Sequence, residues 1–538
     1  MFKRSIAALI LIFILIAGPL LNSNATVQAG QQSSVRDELV ERIKDEEMNR
    51  SQYMEILSHL TEEIGPRLTN SPNFRKAATW TKDQLSQWGL QNAHLEPWGP
   101  FGRGWSLQRF SAEVTSPNYF PLIAYPKAWS PSTKGEVTAD VVFVDAKNEA
   151  DLQKYKGTLK GKIVLASPPR AVEAHFEPTA TRWTDEDMLK YAMDEPYPPD
   201  NPVLATPPSK EQMDAARFAG QRFLFIAQEG AAVVMTPSPV ADGGTIQVMS
   251  AAIAYPADTP REKRLPIWNP GSGQTMPQIA VAAEHYNRMV RMIQHGVQLK
   301  MSVNIAAQYH NDDLMSTHTI AEIPGTDLKD EVVMIGAHLD SWHAGTGATD
   351  NGAGVALMME TVRLLQTLKL QPRRTIRIAL WGGEETAGGS RYYVQQHFGK
   401  LDRSTNPPKL VTTPEYDKFS AYYNFDAGTG KVRGVFLANN EGLRPIFRTW
   451  LKPFVSMGAG TLTANGDWGS DFVWFDEINL PIVNFIQDEI EYETRTHHTN
   501  QDVLDRIQID DMKQAAIITT YFVYQTAMRD QKLPHKTK

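Results

Sequence analysis

The sequence HLDSWHAGTGATDNGAG, His338 to Gly354, joins two segments of different periodicity. Before it runs VVMIGA (Val332 to Ala337), a near-continuous apolar run of the length of a buried strand. After it, Val355, Met358, Met359, Val362 and Leu365 recur at helical spacing, which predicts a helix over Gly354 to Leu368 with one buried face, its methionines in the core. Strand, loop, helix is the unit of an α/β sheet, and it repeats downstream. Strands are predicted at Thr375 to Trp381, Ser420 to Phe425 and Pro481 to Ile486, and a closing helix at Ile509 to Met528. The fold class is therefore α/β, a mainly parallel mixed sheet flanked by helices.

A plain connection needs no chemistry, yet this one holds His338, Asp340, His343 and Asp350 among four glycines. The other strands end the same way: Glu384 and Glu385 follow TIRIALW, Asp426 follows SAYYNF, and His497 and His498 follow PIVNFI by a short loop. Ligand crevices in open α/β sheets lie outside the carboxyl ends of the strands, so these residues converge. The chain has no cysteine, so any metal must be held by His, Asp and Glu. With Asp340 taken as a hydrogen-bond partner of His338, and one of the adjacent histidines counted, two imidazoles and four carboxylates remain. That donor set suits borderline divalent ions, zinc first. One zinc takes about three protein ligands, so the set is too large for one ion. It fits two ions sharing a carboxylate, with one carboxylate left as a base. Taken singly, each motif has a plainer reading: a hydrogen-bonded His-Asp pair, helix N-terminal acids, a turn aspartate, a surface His-His.

At 538 residues the chain is long enough for about two or three domains. Its formal charge of −7, with no basic block, argues against nucleic acid as a partner. Lys3 and Arg4 precede the apolar run Ser5 to Leu21, with small residues at Val27 and Ala29. This reads as a signal peptide over 1–29, cleaved after Ala29 or, second, Ala25, and hence as export, secreted or periplasmic; the alternative is an uncleaved anchor. From about Asn118 to His310 the texture becomes β-rich, with a polar, proline-rich excursion or lid at His175 to Lys210.

On HLDSWHAGTGATDNGAG, PRRTIRIALWGGEE, DAGTG and HHTNQD the chain resembles the secreted, co-catalytic zinc aminopeptidase and glutamate carboxypeptidase family, most strongly from about Pro277 to Leu533. The resemblance implies a zinc-dependent exopeptidase fold, with a peptidase domain in two parts, 30–117 and 311–538, around an inserted protease-associated-like domain at 118–310. It implies two zinc ions: His338 and Asp426 on one, Glu385 and His498 on the other, Asp350 bridging. Glu384 would be the general base toward a water held between the metals. Asp340 would orient His338 through its second ring nitrogen, and the Asp350–Asn351 peptide would be cis. His497 stands where some relatives have an oxyanion-stabilising tyrosine, and His343 and Arg495 are candidates for substrate contact. The acid run Asp488 to Glu493 is a candidate for a substrate ammonium, and Glu173, His175 and Trp183 for contacts from the insertion. The implied function is hydrolysis of dipeptides or short peptides, and a homodimer is implied by the resemblance alone. A broader aminopeptidase is the alternative, and a non-catalytic receptor-like member is disfavoured by the complete ligand set.

Overall fold

The computed structural model describes residues 37–194, 208–467 and 469–537, so the N-terminal segment read as a signal peptide lies outside the described residues. Two eight-stranded sheets organise them. The first contains β1 (Gln91–Trp98), β2 (Ser316–Ile323), β3 (Leu328–His338), β4 (Arg374–Trp381), β5 (Phe419–Asn424), β6 (Val432–Phe436), β7 (Thr461–Thr463) and β8 (Ile482–Gln487), in the order β1-β2-β4-β3-β5-β8-β6-β7. The four adjacent strands β4, β3, β5 and β8 are parallel. Their carboxyl ends therefore share one edge, which is the geometry the α/β reading requires. The flanks are antiparallel at β1–β2, β2–β4 and β6–β8, so the sheet is mixed with a parallel centre. Strand β1 carries little of the alternation a sequence reading needs, being exposed or half-buried along nearly its whole length.

The helix predicted with one buried face is Ala353–Thr367, and it is buried all round from Ala353 to Leu365. The long helix Ile509–Met528 packs beside it, and Tyr53–Ser58 covers another side. Burial on every side forces its charges into pairs. Arg363 donates to Glu360 at 2.7 and 2.8 Å and to Glu46 of the N-terminal helix at 2.9 Å. That N-terminal helix stops at residue 50 and is followed by the helix Tyr53–Ser58 and the π-turn His59–Ile64.

The second sheet has its own apolar core, which includes Ile163, Leu165, Val233, Met235, Ile279 and Val281. Strands Val137–Phe143, Ile163–Leu165, Val233–Pro237 and Gln278–Val281 run parallel. Beside them Gly104–Ser116 pairs antiparallel with Lys300–His310 along its length. The strand Gly104–Ser116, within the 30–117 segment of the sequence reading, thus lies in the second sheet. Its partner strand is nearly two hundred positions away, which local pattern does not reveal. No helix among the described residues is long and apolar enough to cross a membrane.

Candidate metal centre and active site

Strand β3 ends at His338, and the chain returns to the helix at Ala353 through a loop with almost no internal support. A buried arginine supplies it. The Arg67 guanidinium donates to the carbonyls of Leu339 at 2.8 Å, Thr346 at 2.9 Å and Gly347 at 2.8 Å. Gly347 has φ +69°, and a Cβ there would meet the Ser341 side chain at 2.4 Å, so only glycine fits. Asp502 completes the support, its carboxylate accepting from the Thr349 backbone N–H at 2.6 Å and hydroxyl at 2.8 Å.

The strand ends then bring the donors together. His338 Nε2 lies 3.2 Å from Asp350 Oδ1 and 3.4 Å from Asp426 Oδ1. His498 Nε2 lies 3.2 Å from Asp350 Oδ2 and 3.0 Å from Glu385 Oε2. The two oxygens of Asp350 thus face different imidazoles and belong to different triplets. Metal–ligand bonds of ~2.0–2.1 Å in a tetrahedral shell put neighbouring ligand atoms about 3.3 Å apart, which these separations match. Asp350 Oδ2, Glu385 Oε1 and Asp426 Oδ1 are buried without a hydrogen-bond donor, as oxygens reserved for a cation would be. The Asp350–Asn351 peptide is cis.

Electrostatics point the same way. Burial pushes the carboxyls of Glu384, Glu385 and Asp340 above their ordinary range, the neighbouring histidines opposing it. Burial also works against charge on His338 and His498, but the facing carboxylates override it and hold both rings well above the usual imidazole value. Buried acids in such excess over buried bases need compensation, and divalent cations supply it. The residues present therefore fit a metal centre.

Asp340 acts differently from expectation. His338 Nδ1 donates to the backbone carbonyl of Asp340 at 3.0 Å, while the carboxylate stands 3.8 Å away. That carboxylate instead accepts from the backbone N–H of Gly383 at 2.9 Å and Glu384 at 3.3 Å and from the Thr69 hydroxyl at 2.5 Å. It positions the turn bearing Glu384. His343 points away from the cavity: its Nε2 donates to the Pro126 carbonyl at 2.8 Å, and burial lowers its pKa to about 4. Arg495 is turned to Glu491 at 3.2 Å and does not line the cavity. Of the insertion residues, Trp183 donates its indole N–H to the Gln487 carbonyl at 2.6 Å, and His175 pairs with Asp242 at 2.9 Å.

His497 does reach the cavity, its ring between Tyr492 and His498 and its Nδ1 3.3 Å from Glu493. Sequence reasoning missed Arg67, Ser470 and Asp471. Ser470 donates to Asp426 Oδ2 at 2.5 Å, and Asp471 is buried beside the acids with its pKa raised by burial to about 7. A serine and an acid in a glycine-bearing loop carry no spacing signal; only the fold sets them beside Asp426.

The centre opens into a cavity of about 320 Å³. His338, Asp350, Glu384, Asp426 and His498 line one part of it, and Phe436, Phe485 and Ile486 make an apolar wall. Asp467, Glu489 and Glu493 add acid, and no lysine or arginine among the described residues lines it.

Residues 318–523 match the family described as peptidase family M28. The chain is 26% identical to human (Homo sapiens) carboxypeptidase Q over 489 residues, 90% of this chain and 87% of that protein. Its fold is like that of a peptidase M28 precursor from Shewanella amazonensis SB2B, with TM-score 0.63 and 22% identity over 94% of this chain and 100% of that one. It is also like BSAP, a zinc aminopeptidase from Bacillus subtilis, with TM-score 0.52 and 18% identity over 89% of this chain and 96% of that one.

Proposed function

We propose that this chain, like the peptidase family M28 proteins and zinc aminopeptidases it is similar to, is an exported di-zinc exopeptidase that cleaves dipeptides or short peptides from their free amino end. The observation that carries the two-metal reading is Asp350, whose oxygens stand 3.2 Å from His338 on one side and 3.2 Å from His498 on the other. His338 and Asp426 would hold one ion, Glu385 and His498 the other, and Asp350 both.

Zinc bound by these residues would polarise a peptide carbonyl and acidify water at neutral pH. The chain's own groups do the rest. Glu384, with its N–H fixed by Asp340 and its side chain on the cavity, takes a proton from the attacking water as the oxygen bonds to the carbonyl carbon. It then gives that proton to the amide nitrogen as the C–N bond breaks. His497, held through Nδ1 by Glu493 and with its pKa raised by that partner against the effect of burial, lines the cavity as a donor for a developing oxyanion.

The choice of the amino end rests on the lining. A lining that adds Asp467, Glu489 and Glu493 and holds no lysine or arginine among the described residues suits an α-ammonium and disfavours a free carboxylate. The apolar wall suits the first side chain. The second-sheet region is read as a protease-associated-like insertion that pairs with the loop carrying His497 and His498. Glu384→Gln tests the mechanism: it is expected to keep the wild-type zinc content and to lower kcat by ~10²–10⁴-fold, the usual contribution of a general base. Turnover above a few per cent of wild type would remove Glu384 from that role. Comparing a free dipeptide with its N-acetylated and C-amidated forms tests polarity. Loss of cleavage on amidation rather than acetylation would reverse it.

A further inference from the structure

The loop after β8 carries His497 and His498, and the second-sheet region grips it at two separate places. On the far side, Val248 N–H donates to the His498 carbonyl at 3.1 Å. There too Ile246 N–H donates to Asn500 Oδ1 at 2.7 Å, and Gln247 bridges antiparallel to Thr499. This contact holds a ligand histidine whose φ is +60°. On the near side, Thr181 and Ile490 exchange both backbone hydrogen bonds at 2.9 Å, a short strand added to the loop. Here Arg182 and Trp183 close on Asp488. Its side chain is only 1% exposed, and it accepts from Arg182 Nη1 at 2.8 Å, Trp183 N–H at 3.0 Å and Arg433 Nη1 at 3.0 Å. Arg182 Nη1 also lies 2.7 Å from Asp511 of the closing helix, so one guanidinium ties three segments of the chain.

The near contact touches no metal ligand. It touches the back of the cavity wall, because Asp488 stands between Gln487 and Glu489, both of which line the cavity. The far contact holds His498 on its own. Substrate wall and metal ligand are thus supported by different contacts, and one can be loosened without the other.

We propose that Arg182 is a positioning residue for substrate affinity, acting through Asp488 to set the Gln487–Glu489 wall of the cavity. The proposal rests on the peptidase reading of that cavity. The insertion is then part of the binding site's construction rather than a cover over it. Arg433 remains on Asp488 when Arg182 is removed, so that buried carboxylate keeps a charged partner, while the buried Asp511 loses its ion pair at a cost in stability rather than at the cavity wall.

The test is Arg182→Met in the full chain with zinc bound. KM for a cleaved dipeptide is expected to rise about tenfold, less than for truncation of a fully buried charge pair because Arg182 is half exposed, with kcat within about twofold and zinc content unchanged. Arg182→Lys should recover part of the loss, since an ammonium meets Asp488 but lacks the guanidinium's fork of fixed donors. Hydrogen exchange read on the same proteins is expected to lose protection at 487–492 and to keep it at 498–500. A KM equal to wild type, or kcat and zinc falling together, overturns the proposal whatever the change in Tm. Unchanged exchange at 487–492 overturns it independently of activity. A wild-type protein that cleaves no peptide defeats the peptidase reading instead, and the exchange result still decides whether Arg182 holds the wall.

Discussion

Replacing Arg67 by methionine removes the loop's main support while keeping most of the buried stem volume. Three loop carbonyls, those of Leu339, Thr346 and Gly347, lose donors at 2.8 to 2.9 Å. A buried acceptor left without a donor costs roughly 1–3 kcal/mol, so the gross loss is about 3–9 kcal/mol. Against this, a fully buried guanidinium is itself costly to hide, and burial lowers its pKa to about 10. The acids Asp502, Asp340, Asp350 and Glu385 recover part of that cost in the wild type, and they lose a compensating charge in the variant. The net expectation is a destabilisation of roughly 3–5 kcal/mol, the range for breaking a buried charged network. It should be measured by urea unfolding of the chelator-treated protein, because zinc binding would otherwise add its own stabilisation. Arg67→Lys should fall between the two, since an ammonium cannot reach three carbonyls in fixed directions. If Arg67→Met lies within about 1 kcal/mol of wild type, the loop is held by something else and the accounting is wrong.

Asp350→Asn keeps the shape of the bridge but removes its charge from both triplets, and is expected to leave less than half the wild-type zinc by elemental analysis. Asp426→Asn, on one triplet only, should retain about half; equal losses in the two variants would contradict the bridging arrangement. Glu47, behind the active-site helix, has its pKa pushed up to about 9 by burial and then by Glu360. Its folded pKa exceeds its unfolded one, so the folded state holds the proton more tightly and stability falls as pH rises from about 4.5 through about 9. Glu47→Gln should flatten that part of the stability–pH curve and stabilise the protein at the alkaline end. A slope identical to wild type there would show that the proton resides elsewhere.

The fold's centre was legible because it is written locally. Apolar runs of strand length, followed by helical periodicity, define β3, β4, β5 and β8, and the closing helix falls at Ile509–Met528 as read. The donor set was legible for the same reason: His338, Asp350, Glu384, Glu385, Asp426 and His498 follow strand ends, and parallel strands put those ends on one edge. The roles within that set were only partly legible. Asp340 follows His338 by two positions, which suggested a side-chain partner, yet the backbone takes that place and the carboxylate serves the Glu384 turn. His343 looked available for substrate and is spent on Pro126.

Sequence by itself therefore determined the elements, the order in which they deliver donors, and the chemistry those donors suit. Tertiary structure alone decided what Asp340 and His343 contact, which side chains wall the cavity, and what holds the loops in place. Arg67 shows the physical reason. Its partners are 272, 279 and 280 positions away along the chain. A hydrogen bond acts over about 3 Å and depends on direction, so its pairing is set by how distant segments pack and leaves no periodic trace in the sequence.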